Sequence, residues 1–122
     1  MKVENIKFMA KRLDGKGWAI GDLLHSYENG AIIVPIEGGG AFSVDPSTVC
    51  QFTGLKDCKG NEVWEGDVIK DPYLGIEHTI EWNNHLCSFD ALDEIGSSLK
   101  PLGTLIMSFR WYVVGNKFDK EK

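Results

Sequence analysis

The sequence predicts a mainly β protein: one small antiparallel domain, either barrel-like or two packed sheets, with at most one short helix. Three observations lead there. Glycine (14 of 122 residues) is scattered along the whole chain, and it separates short runs of β-branched and aromatic residues, the pattern of brief strands joined by tight turns. The cleanest periodic segment repeats every two residues, with Ile76, His78, Ile80 and Trp82 on one side and Glu77, Thr79 and Glu81 on the other, as a half-buried strand does. Hydrophobic residues at 43% and charged residues at 25% make an ordinary globular composition with enough apolar material for a core.

Taken in order, residues 6–11 read as a first strand with Ile6 and Phe8 on one face, closed by the turn Asp14-Gly15-Lys16-Gly17. Residues 18–24 return as a second strand. Gly21 interrupts it and signals a bulge or a close backbone approach. After the turn Glu28-Asn29-Gly30 come a third strand over 31–37, a loop tip at Gly38-Gly39-Gly40 and a fourth strand over 41–44. Asp45-Pro46-Ser47-Thr48 then turns the chain, because Pro46 fixes φ and Asp45 accepts backbone N–H groups two or three residues on. A short strand over 49–52 precedes the turn Asp57-Cys58-Lys59-Gly60. Val63-Trp64 leads into Glu65-Gly66-Asp67, 68–70 continues as a strand, and Asp71 to Gly75 is a further turn ahead of the strand over 76–82. Residues 89–95 are the predicted helix, ended by Gly96, with loop at Ser97-Ser98. Residues 104–114 are predicted as a bent strand or strand pair, with Phe109, Trp111 and Val113 on one face and Arg110 and Tyr112 on the other. The domain is expected to run over 1–118, with 119–122 a frayed tail.

The net charge is −5, and residues 51–100 hold ten Asp/Glu against four Lys. A basic face is the electrostatic footprint of phosphate-backbone binding, so nucleic acid is not the expected partner. The three cysteines, Cys50, Cys58 and Cys87, fit no disulfide framework and point to a reducing compartment. Residues 1–7 carry no apolar signal segment, and no apolar run approaches the roughly 20 residues a bilayer requires. A cytoplasmic protein with no membrane partner is expected.

Residues 44–69 form the most specific block. Val44, Pro46, Thr48, Val49, Gln51, Phe52, Thr53, Gly54, Leu55, Asp57, Gly60, Glu62, Val63, Glu65, Gly66, Asp67 and Val68 together closely resemble the pattern of the YopX family, found mostly in phages and prophages. Ile6-Lys7-Phe8 and Val113-Val114-Gly115-Asn116 resemble the family's two ends, and 85–105 carries no motif that can be named. The resemblance implies a β-rich fold in a bacterial host cell. It carries over no catalytic residue, cofactor or metal, and it puts Cys50 and Cys58 at variable positions. Read physically, the same block is architecture. Gly54, Gly60 and Gly66 stand where turns need positive φ or a missing Cβ. Asp57 opens a turn, Asp67 accepts orphan N–H groups, and Gln51 and Thr53 pair backbone groups at a strand end.

Other constellations have plainer readings. Cys50, Cys58, His78, His85 and Cys87 could supply metal ligands, but they lack the paired spacing of structural zinc sites. Cys87 and His85, two apart on a strand, point in parallel and rarely meet as a thiol–imidazole pair. Glu62, Glu65 and Asp67 read as turn-capping and surface groups before an acid–base pair or a cation site. Gly38-Gly39-Gly40 lacks the Lys-Ser/Thr ending of a phosphate loop. Trp64, Trp82 and Trp111 are candidate contact residues wherever they are exposed. The expected function is a non-enzymatic interaction or self-assembling module whose partner is a second copy or a host or phage protein, using open strand edges and aromatic anchors. The alternatives are a single-stranded nucleic-acid-binding small barrel and a hydrolase using the carboxylates around Glu65 and Asp67.

Overall fold

A computed structural model describes residues 2–84, 87–92 and 98–119. Their strands form two antiparallel sheets and no closed barrel, and the chain divides into two compact units, residues 1–52 and 53–122.

In the first unit, β1 (Phe8–Lys11), β2 (Trp18–His25), β3 (Ala31–Val34), β4 (Phe42–Val44) and the start of β5 (Cys50–Lys56) lie in the order β4-β3-β2-β1-β5. The register pairs Ala10 with Ala19, Ile33 with Phe42 and Ala31 with Val44. Side chains alternate across a strand, so Ala10, Ala19, Ala31, Ile33 and Val44 share one face and form a buried cluster, against which Phe8, Leu23, Phe42 and Val49 pack. The sheet curls until Arg12 bridges Val44, with Leu13 N–H donating to Ser43 O and Asp45 N–H to Lys11 O. Gly21 is the close approach its position suggested: a Cβ there would lie 2.1 Å from Val34 O and 2.7 Å from Pro35 Cα. The third strand stops at Val34 instead of reaching 37, because Pro35 has no N–H for the ladder. Its carbonyl instead accepts Gly38 N–H in a turn.

The second unit holds the rest of β5, β6 (Glu62–Trp64), which borders β5, and a sheet in the order β10-β9-β8-β7-β11, made from β7 (Asp67–Lys70), β8 (Glu77–Asn83), β9 (Ser88–Leu92), β10 (Ser98–Pro101) and β11 (Tyr112–Asn116). Its core is Val63, Ile69, Ile80, Ala91, Leu102, Leu105, Ile106 and Trp111. The helix does not lie where the sequence reading put it. Residues 88–92 are strand β9, paired to β8 through Ile80–Ala91 and Trp82–Phe89, and residues 93–97 lie outside the described residues. The helix is α1 (Leu102–Met107), which buries Leu102, Leu105 and Ile106, one stripe at the i, i+3, i+4 spacing of a helical face. Residues 104–114 are therefore not one bent strand. Arg110 takes φ 59 and Trp111 N–H returns to Leu105 O, so Phe109 and Arg110 form the connection. Phe109 is exposed while Trp111 is buried, and only 112–116 is strand.

Candidate functional site

The central block runs from β5 through two turns into β7. Thr53 Oγ donates to Val63 O at 2.6 Å and accepts Leu55 N–H, which fastens β5 to β6; Gln51 lies in the same strand, paired across to Phe8 of β1. Asp57 builds the first turn: its Oδ1 accepts Lys59 N–H and Asn61 N–H, both at 2.9 Å, and Gly60 closes the turn at φ 84. The second oxygen of Asp57 looks outward from the turn. It accepts the Asn61 side-chain amide and, at 2.9 Å, Val113 N–H of β11.

Gly66 has φ 86 at the third position of the turn Trp64–Asp67, where positive φ belongs to a type II turn. Such a turn splays its strands where a hairpin turn would hold them together, and β6 and β7 do lie in different sheets. Gly66 N–H donates to Ile80 O, and its carbonyl accepts Lys117 N–H. Asp67 follows. Its Oδ2 accepts Trp64 N–H at 2.8 Å and its Oδ1 accepts the Asn116 side-chain amide at 3.0 Å, while Asn116 Oδ1 takes Phe118 N–H. Asp57 and Asp67 therefore each tie a local turn to the C-terminal strand, 56 and 49 residues away.

Their electrostatics diverge. Burial pushes the Asp57 carboxyl up, but the donors from Val113, Asn61 and Lys59 outweigh it and hold the pKa below the ordinary value. At Asp67 burial is the larger influence. The hydrogen bonds from Trp64 and Asn116 compensate only partly, the like charges of Asp119 and Asp57 add to the push, and the pKa rises from 3.8 to about 6. Glu62 begins β6 and Glu65 sits in the turn, both half-buried, while Asp57 and Asp67 are buried.

A family model described as YopX protein matches residues 13–121. The chain belongs to the YopX family. No curated protein matches it. The matched stretch of this YopX chain takes in both turns and β11.

The remaining candidates are dispersed. Trp64 and Trp111 are buried at 6% and 7% exposure, and Trp82 is 45% exposed, edge-on to Phe89 with ring centroids 5.1 Å apart. Cys50 is buried with its thiol toward Thr48 O, whereas Cys58 and Cys87 are exposed. His78 stacks on Trp111 at 5.2 Å, and His85 lies outside the described residues. Among the described residues no group of three or more His, Cys, Asp or Glu is arranged to hold a metal ion, and no helix is long and apolar enough to cross a membrane. Sequence reasoning missed Asn116 and Val113 as the distant partners of the two aspartates. It also missed Asp90, fully buried between Asn83 (2.8 Å) and Ser88 (3.0 Å). Only the β8–β9 register brings Asp90 and Asn83 together, and no local spacing signals it.

Proposed function

We propose that this YopX protein is a phage- or prophage-encoded accessory protein of the host cytoplasm that catalyses nothing and works by binding, either to a second copy of itself or to a host or phage protein. The observation that supports this is the face of β2 opposite the alanine cluster. Ile20 and Leu24 stand 47% and 52% exposed there, and Ile32 and Val34 of β3 lie on the same face by register. Ile20 also lines an open groove of about 360 Å³ with Lys7, Pro35, Ile36 and Glu37. Apolar residues gathered on one face, beside polar ones, are what a contact surface needs. The Asp57 and Asp67 carboxylates, by contrast, are occupied with backbone and amide donors. Replacing Ile20 and Leu24 together by Glu should leave Tm nearly unchanged, since exposed positions seldom cost more than about 0.5 kcal/mol, and should abolish self-association in light scattering or partner recovery in pulldown. A wild-type chain that is strictly monomeric and recovers no partner would overturn the reading.

A second reading, single-stranded nucleic-acid binding, draws support from β1 and its flanks, where Lys7, Lys11 and Arg12 lie over the rings of Phe52, Trp18 and Phe42 at 4.7, 5.5 and 4.0 Å. Cations beside aromatic faces are the materials of such sites. Titration with a labelled oligonucleotide at low salt tests it, and absence of binding there ends it.

A further inference from the structure

Among the described residues strand β11 borders its sheet and has one ladder neighbour, β7, with a register irregularity between Val113 and Gly115. Its far end is fastened at the Gly66–Asp67 turn and also, through Lys117, at β8. Asn116 pairs with Asp67, the Asn116 side-chain amide donates to Asp67 Oδ1, and Lys117 N–H donates to Gly66 O. Asp67 itself is buried, and no lysine or arginine among the described residues forms an ion pair with it. The charged groups that bear on it are Asp57 from the β5–β6 turn and Asp119 beyond β11, both of its own sign. Lys117, the cation on the same segment, is paired with Glu81 of β8.

We propose that Asp67 is a proton-closed latch on the C-terminal strand: β11 separates from β7 more readily when the Asp67 carboxylate is charged than when it is protonated. A buried charge without a cationic partner is costly, and separation of β11 gives it back to water. Protonation removes that incentive. It also costs one hydrogen bond, because Trp64 and Asn116 are both donors, but two donors are few for a buried carboxylate with two acids nearby, where Asp57 has four, and the pKa raised to about 6 agrees. With a closed-state pKa above the open-state value of 3.8, the closed form binds protons more tightly. The Asp67 contribution to closure is therefore fully present below about pH 4, is progressively lost as pH rises toward 6 and is absent above that, whereas the hold of Asp57 on Val113 weakens only below the ordinary aspartate range.

Amide hydrogen exchange tests this. The reporter is Lys117 N–H, which bonds Gly66 O, referenced to Phe52 N–H, which bonds Lys7 O in the first unit. In the wild type the protection of Lys117 relative to Phe52 should rise as pH falls from 6.5 to 4, by up to roughly a hundredfold given about ten per pH unit. In Asp67→Asn it should stay flat across that range. A flat or falling wild-type ratio, or an Asp67→Asn profile that rises as steeply as the wild type, overturns the latch. Should Asp67→Asn fail to fold, carboxyl NMR of the wild type decides: an Asp67 midpoint near 6 supports the latch, and one at or below 4 overturns it.

Discussion

Asp57 and Asp67 are both buried, yet one titrates below the ordinary aspartate range and the other above it. Donors are one part of the difference; burial and the like charges of Asp119 and Asp57 at Asp67 are the rest. Asp57 collects Lys59 N–H, Asn61 N–H, the Asn61 amide and Val113 N–H, whereas Asp67 has only Trp64 N–H and the Asn116 amide. Hydrogen bonds to a carboxylate favour its charged form, while burial disfavours it. Asp57→Asn would turn an NH2 group toward Val113 N–H and the Asn61 amide, donor against donor. We expect a loss of about 2–3 kcal/mol at pH 7, read by urea unfolding. Because the folded pKa is depressed, this contribution is fully present above the unfolded value near 3.8 and fades as pH falls through the folded one. The penalty of Asp57→Asn should accordingly shrink below about pH 4. A penalty that grows on acidification would show that the carboxylate is not what holds the turn. Gly66, at φ 86, makes a separate demand on the backbone. Gly66→Ala should cost roughly 1–2 kcal/mol through strain alone.

Among the elements, the strands flanked by glycine and proline turns were legible because their signals are local: Asp45 does accept Ser47 N–H, and Asp57 and Gly60 do open and close one turn. The helix was not, for a physical reason. Leu102, Leu105 and Ile106 offer a single turn's worth of helical spacing, ahead of Phe109, Trp111, Val113 and Val114, and a short apolar run of that kind suits either period. Residues 89–92 misled in the opposite sense. Pairing Ala91 with Ile80 buries it completely, and that long-range gain outweighs local preference. Truncation tests the reassignment. Leu105→Ala should cost about 2–4 kcal/mol as a core deletion, where an exposed strand residue would cost little. In β2, Gly21→Ala drives a methyl into Val34 O, so β2 and β3 must part. A loss of about 2 kcal/mol or more is expected from thermal or urea unfolding.

For the whole molecule, charge and core are both partitioned. Residues 1–52 hold five Lys/Arg, all within the first 16 positions, and six Asp/Glu; the remaining 70 residues hold eight and twelve. Each unit also has its own buried cluster, centred on Ile33 in one and Ile69 and Ile80 in the other. The sequence reading of one domain over residues 1–118 becomes testable there. Under it, Ile33→Ala should lower amide protection equally in β2–β3 and in β8–β9. A loss confined to β2–β3 would mark two cooperative units. The motif block was legible as turn-making residues, but its purpose was not, since Val113 and Asn116 are reached only through tertiary structure. The bond from Val113 to Asp57 has one more effect. That N–H is withheld from any incoming chain, and a carboxylate stands guard beside it, so growth of amyloid-like stacks along the β11 margin meets a missing donor and a negative charge.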